Sequence, residues 1–327
     1  MYLNYISIFN FRNYKEFYST FKPDINIIQG ENASGKTNLL DAIYFLLNSH
    51  SFISKKFLEK QKESLLKGNV IKDISYNITI SLNKNKKSLI NSKNRSLKDF
   101  KTLFPSIIFS IKDFTNFSEK KYTLSLLDKF SFVENPNIII NIINTLKQLK
   151  FKRYLFEKKD YNTIKIINKD INKNIQIIQE NRKKSAQTIN LYLNKQNILQ
   201  KNIKIVYSPF LFDEKIEHLE IQTMHNIFTL YKDSINILLD ENNIFSYSSV
   251  GEKKMVLFTL MSSLINHYNI YEKEPIIMID DIESDISKKN LEKILDNISK
   301  LKNQIFITTL GNIKMINANI LTLSEGT

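Results

Sequence analysis

Gly30-Glu31-Asn32-Ala33-Ser34-Gly35-Lys36-Thr37 fits the spacing G-x-x-x-x-G-K-[ST]. Ahead of it, Asp24-Ile25-Asn26-Ile27-Ile28-Gln29 follows Pro23 and reads as a short buried strand. Behind it, Thr37 to Leu47 carries Leu39, Leu40, Ile43, Leu46 and Leu47 as one wide apolar helical stripe. Strand, loop and helix in this order make an anion cradle. Backbone N–H groups of the loop and of the helix N-terminus point at phosphate oxygens. Gly30 and Gly35 let the backbone approach closely, Lys36 supplies a cation to the terminal phosphates, and the Thr37 hydroxyl is placed to ligate Mg²⁺. The chain has 6 glycines, where an average composition would give about 23. Two of them lie in this loop. The expected nucleotide site is therefore Gly30, Glu31, Asn32, Ala33, Ser34, Gly35, Lys36, Thr37 and Asn38, holding ATP and Mg²⁺.

A metal at such a loop needs a distant acid. Glu274-Pro275-Ile276-Ile277-Met278-Ile279-Asp280-Asp281 ends four apolar residues in two carboxylates. It reads as a buried parallel strand with acids at its C-terminal end, where α/β sheets place ligand sites. Asp280 is expected to hold Mg²⁺ with Thr37, and Asp281 to polarise the attacking water. The plainer reading is a pair of acids capping the next helix. Between loop and acids, Phe245-Ser246-Tyr247-Ser248-Ser249-Val250-Gly251-Glu252 precedes an apolar helix from Met255 to Leu264. Ser249 and Gly251 at a helix N-terminus form a second anion cradle. Ser249 with Glu252 also reads as a capping box, and both readings can hold together.

Composition narrows the classes. At 327 residues the prior is two domains, or one domain with an insertion. No run approaches the ~18 apolar residues of a membrane helix, and the N-terminus lacks a signal pattern. A cytoplasmic protein with no membrane partner is expected. The absence of cysteine excludes disulfides, thiolate metal sites and a cysteine nucleophile. The four histidines do not form a zincin pattern. A formal charge of +14 favours a polyanionic partner, although a chain crowded with Lys, Asn and Ile can owe much of that charge to AT-rich codon usage.

The motif order is that of ABC-type ATPases, and the chain resembles the RecF family of bacterial DNA replication and repair ATPases along its whole length. Ile8-Phe9-Asn10-Phe11-Arg12-Asn13-Tyr14 resembles the family's N-terminal Phe-Arg-Asn-Tyr strand, and Gly30 to Asn38 its phosphate loop. Leu126-Leu127-Asp128, Leu146-Lys147-Gln148, Ser249-Val250-Gly251-Glu252, Ile279-Asp280-Asp281 with Ser284, and Gln304 to Thr309 resemble later family segments in order. There are departures at Ser49-His50, Ile111-Lys112, Leu230 to Ser234, Val250 and Ser287. The resemblance implies a slow, DNA-stimulated ATPase without nuclease activity, with Arg12 and Asn13 also at the nucleotide. It implies a homodimer on ATP binding, Ser249 and Gly251 covering the opposite protomer's nucleotide. It implies binding of duplex DNA and single-strand gap regions without sequence preference, in replication, recombinational gap repair and SOS induction. Recombination mediator proteins that help load the recombinase are the implied partners. The alternative is a soluble ABC-type ATPase driving protein assembly or transport without DNA.

The expected fold is an α/β ABC-type P-loop ATPase head, a mixed β-sheet with flanking helices, carrying an inserted, mostly helical lobe. The head occupies 1–115 and 205–327, and the lobe 116–204. Strands are expected at Leu3–Phe11, Glu16–Phe21, Ile25–Gln29, Tyr76–Leu82, Lys87–Asn91 (after a turn through Lys84), Ser106–Ser110 and Ile203–Tyr207. From about 118 to 200 the spacing is helical, with Pro136 marking a helix start and room for a pair of helices about 50 Å long. Basic clusters at Lys84-Lys86-Lys87, Lys93-Arg95-Lys98-Lys101, Lys147-Lys150-Lys152-Arg153 and Arg182-Lys183-Lys184 read singly as solvated faces. Any DNA contact is expected to be to phosphate.

Overall fold

The structure, a computed structural model, describes residues 1–53, 63–83, 85–195, 198–311, 313, 315 and 317–324. Lys84, expected in a turn, lies outside the described residues. The chain divides into two compact units, 1–115 with 268–327, and 116–267.

The first unit holds two sheets. One is antiparallel, in the order β2-β1-β4-β5-β6-β7: β1 Tyr2–Phe11, β2 Tyr14–Thr20, β4 Ser64–Ile71, β5 Ser75–Leu82, β6 Lys86–Ile90 and β7 Lys93–Asn94. The other is wholly parallel, in the order β14-β3-β13-β12-β8: β3 Ile25–Gln29, β8 Ser106–Phe109, β12 Ile276–Ile279, β13 Ile305–Thr309 and β14 Asn319–Thr322. Helix α1, Lys36–Asn48, contacts strands of both sheets. Leu39, Leu40, Ile43, Leu46 and Leu47, the stripe read from the sequence, are fully buried in a core shared with Leu3, Ile28, Leu66, Ile80 and Phe306. Burial on both sides explains why β3, β12 and β13 read as continuous apolar runs rather than alternating ones.

The sequence reading did not find β4, the central strand between β1 and β5. Its middle residue is Gly68, which depresses strand propensity. The reason for the glycine is tertiary: a Cβ there would collide with Leu46 Cδ2 of α1 and approach the Tyr5 carbonyl to 2.9 Å. The short helices α2, Leu97–Leu103, and α3, Ile111–Asn116, flank β8. The first is started by a capping box of Ser96 and Asp99.

The second unit contains α4 Lys120–Glu134, α5 Ile138–Glu157, α6 Tyr161–Lys195, a three-stranded sheet of β9 Ile203–Ser208, β10 Ser234–Leu239 and β11 Asn242–Asn243, then α7 Glu214–Thr223, α8 Ile244–Tyr247 and most of α9, Val250–Ile270. Instead of two equal helices, α6 alone has 35 residues, about 52 Å at 1.5 Å per residue. It packs on both α4 and α5, which the Asn135-Pro136 break keeps separate. The lobe boundary also differs from the expected 204: the compact unit runs to 267. Asn190 of α6 explains part of this. It accepts from Ile205 N and donates to Ile205 O of β9, at 2.8 and 2.9 Å, so the sheet is tied to the helix.

Two of the basic clusters are not uniformly solvated. Arg182 is 1% exposed; it donates to both oxygens of Asp128, to Asp233 Oδ2 at 2.7 Å and to the Leu230 carbonyl. Lys152 is 0% exposed and paired with Glu220, whose other oxygen accepts from Ile227 N and Phe228 N. The helical stripe pulls these two cations inward while their neighbours Lys150, Arg153, Lys183 and Lys184 stay exposed.

Candidate nucleotide site

The order of the parallel sheet builds the site. β3 leads into the loop, β12 ends at Asp280, and β13 lies between them. The loop is closed at both ends. A Cβ on Gly30 would meet Ser34 Oγ at 2.6 Å and the Leu323 carbonyl at 2.7 Å. Gly35 adopts φ +98 as the N-cap of α1, a conformation L side chains rarely take. Ala33 is also left-handed, at φ 66, which costs on the order of 1–2 kcal/mol in an L-residue.

Lys36 Nζ donates to the carbonyls of Gly30 and Glu31, at 2.7 and 2.6 Å, so the cation lies across the loop mouth. Ser34 Oγ is buried and has no hydrogen-bond partner among the described residues. A buried, orphaned hydroxyl costs free energy until something pairs with it. On the acidic side, Asp280 Oδ1 accepts from Thr37 Oγ1 at 3.0 Å and from Thr308 Oγ1 at 2.8 Å. Burial pushes the Asp280 carboxyl above its ordinary range, and neighbouring Asp281 adds to this; the Thr308 and Thr37 hydroxyls and the Lys36 charge oppose it. Asp281 sits at φ 51, with its N–H donated to Thr308 Oγ1 at 2.8 Å. Thr309 Oγ1 donates to Glu283 Oε1 at 2.9 Å, and the Thr309 carbonyl accepts from Gly30 N at 3.3 Å. Thus β13 ties the loop to the acids.

The β1–β2 turn reaches the same loop. Asn38 Nδ2 donates to Asn13 Oδ1 at 2.7 Å, and Tyr14 OH donates to the Gly35 carbonyl at 3.2 Å. Asn13 is therefore brought to the loop. Arg12 is engaged with α1: its guanidinium contacts buried Asp41 at 2.6 Å and Ser51 Oγ at 2.9 Å. Sequence reasoning missed Asp41, Thr308 and Glu283. Thr308-Thr309 carried a usable signal, since two hydroxyls end an apolar strand just as Asp280-Asp281 do.

In the second unit, Ser249 caps α9. Its N–H and Oγ donate to Glu252 Oε2 at 3.0 Å, and its Oγ accepts from Glu252 N at 3.2 Å. Lys201 and this cap hold the Glu252 carboxyl down at about 2. Gly251 has nothing within 4 Å of an added Cβ. Tyr247 and Val250 beside it are exposed. Ser287, where the RecF pattern has an acid, is the N-cap of α10, Lys288–Ser299.

The sequence profile described as "RecF/RecN/SMC N terminal domain" matches residues 2–323. The chain belongs to that family. Its full-length matches place it with the RecF members. It is 28% identical to the DNA replication and repair protein RecF of Lachnospira eligens, over 95% of this chain and 93% of that protein. The identity is 27% with the RecF of Clostridium kluyveri, over 96% and 94%. A solved structure of "the recombination mediator protein RecF-ATP in RecFOR pathway" superposes with TM-score 0.84 at 21% identity, covering 100% of this chain and 96% of that one. An Smc head bound to the C-winged helix domain of ScpA gives 0.59 at 14% identity, covering 100% and 95%. The fold is thus that of an ABC-type ATPase head of the RecF and SMC kind. No helix among the described residues is long and apolar enough to cross a membrane.

The residues fit Mg-ATP. Ser34 is an unpaired donor inside the loop among the described residues, and the Lys36 ammonium donates to two loop carbonyls. Thr37 and Asp280 converge as the one hydroxyl and one carboxylate that Mg²⁺ takes when phosphates and waters complete its shell.

Proposed function

We propose that this protein is an ATP-switched, DNA-binding ATPase of RecF type, acting in replication and recombinational gap repair. The observation that carries the reading is the hydrogen-bonded set Thr37–Asp280–Thr308, which joins the phosphate loop to the acidic strand. In that reading Lys36 leaves its two carbonyls and turns its charge onto the β- and γ-phosphates, with the loop N–H groups of residues 33–37 around them. Thr37 and Asp280 would hold Mg²⁺, whose charge would offset that of the phosphates. Asp281, held by Thr308, accepts the hydrogen bond of the attacking water and orients it. Hydrolysis is slow because the site is completed only by a second protomer.

Gly251 supports the dimeric part. In a chain this poor in glycine, Gly30, Gly35 and Gly68 each have a close neighbour that forbids a side chain, whereas Gly251 faces open space. Its missing side chain makes room for something outside the chain. We assign that to the partner protomer's nucleotide, covered by Ser249 and Gly251. DNA is bound through phosphates by the basic surface, and SOS induction and recombinase loading follow through recombination mediators. Similarity to RecF proteins supports this over the protein-assembly alternative.

Lys36→Ala tests the site. ATP affinity should fall at least tenfold while the melting temperature of the free protein stays within a degree or two, about the shift that 0.5 kcal/mol gives. Unchanged affinity would remove the assignment. Ser249→Arg tests the dimer: monomer ATP affinity should persist while ATP-dependent dimerisation, read by sedimentation, disappears. A variant that dimerises like the parent leaves Ser249 only as a helix cap.

A further inference from the structure

Helix α5 is apolar on both sides. Its inner side is accounted for by burial of Leu149, Leu155 and Phe156. Its outer side exposes Ile140, Ile143, Leu146, Phe151 and Tyr154, the last two by 49% and 51%. At 100° per residue all five fall within one side of the helix, along about 21 Å of its length. Such a patch on a soluble surface marks a contact.

The charges decide what it contacts. Exposed Lys147, Lys150 and Arg153 interleave with the apolar residues, and Lys158 Nζ lies 5.7 Å from the centre of the Tyr154 ring. Glu157 is the one acid on this side of α5. No ion-pair partner of Lys147, Lys150 or Arg153 occurs among the described residues. Lys147 and Lys150 stand in the middle of the stripe, between Ile143 and Phe151. Lysine is depleted from the centre of protein–protein interfaces, so a protein partner fits this face poorly. Phe151 and Tyr154 are nearly parallel, at 16° with centroids 6.2 Å apart. Exposed parallel rings flanked by cations are what unpaired bases and their phosphates require. Duplex DNA hides its base faces and could use only the cations.

We propose that the outer face of α5 is a stacking platform for single-stranded nucleic acid, with Phe151 and Tyr154 contacting bases and Lys147, Lys150, Arg153 and Lys158 contacting phosphates. The inference rests on the DNA-binding part of the proposed function and adds base contact to it. Because the side chains are at the surface, their removal leaves the fold intact, and a melting curve verifies this.

Fluorescence anisotropy with the full-length protein and ATP tests the proposal, using labelled oligothymidylate, an abasic oligomer of equal length and a duplex. The parent should prefer oligothymidylate to the abasic strand by about tenfold or more. Phe151→Ala with Tyr154→Ala should abolish that preference and leave abasic and duplex affinities unchanged. Lys147→Gln with Lys150→Gln should weaken both single strands and lower the salt slope by about 1.4, at ~0.7 per lost phosphate contact. A parent without the preference overturns the stacking platform, and so does an aromatic variant that keeps it; in the second case the face is left to a protein partner. A parent that binds none of the three overturns the DNA reading itself.

Discussion

The phosphate loop and the core of the helical lobe both collect charge, and they do opposite things with it. In the lobe core the buried cations Arg182 and Lys152 are answered. Arg182 meets Asp128, Asp233 and a carbonyl; Lys152 meets Glu220; Asp233 also accepts from Tyr207 OH and Phe210 N. In the loop region the groups remain under-used. Among the described residues Ser34 has no partner, Lys36 rests on carbonyls, and Asp280 is burdened by burial beside Asp281. A satisfied buried cluster has nothing to gain from a ligand and holds the structure together. A dissatisfied one gains when a ligand of the missing charge arrives. The difference separates a scaffold from a site better than the number of charged residues does.

The contrast is open to attack, most strongly at Arg182. Arg182→Met strands Asp128 and Asp233 and should cost about 3–5 kcal/mol, read as a lower midpoint in chemical denaturation. A loss under about 1 kcal/mol would mean that the lobe charges are not mutually committed. Asp280→Asn probes the other region and should move stability the opposite way. The carboxyl's folded-state pKa lies above its ordinary value, so its ionisation costs stability as pH rises through and beyond the ordinary carboxylate range. The neutral amide can still accept from Thr37 and Thr308. At neutral pH the variant should melt at or above the parent, with the gap closing at acid pH, while Mg²⁺-dependent nucleotide affinity falls. A clear drop in melting temperature would show that Asp280 belongs with the satisfied charges. The smallest effect is expected at Glu252→Gln, which loosens the Ser249 cap and the Lys201 pair. Glu252 is partly exposed, so solvent screening limits the loss to a few tenths of a kcal/mol. Its pKa is depressed, so its contribution is present at neutral pH and disappears as pH falls through about 2. Parent and variant melting curves should converge there, and a constant gap would exclude the carboxylate as the cause.

The site was legible where its chemistry is local. The pattern between β3 and α1 sets glycines, Lys36 and Thr37 at fixed spacing, because a phosphate cradle is made from a few consecutive N–H groups. Asp280 was legible because acids at the end of an apolar run stand out. The roles of Thr308, Asp41 and Glu283 were not, since each depends on a partner brought near by sheet order or by α1, and no spacing encodes it. Arg182 and Lys152 illustrate the same limit. In sequence they are members of basic runs, and only the turn of a helix decides which members face inward.

The sequence by itself determined the α/β head, the helical lobe and the nucleotide loop, because hydrophobic periodicity and loop chemistry are written in neighbouring residues. The tertiary structure decided where β4 lies and why Gly68 must be glycine, how far the second unit extends, which cations are buried, and which hydroxyls hold Asp280. Those outcomes depend on what meets across the sheets and helices, and contacts between residues far apart in the chain are not set by the residues beside them.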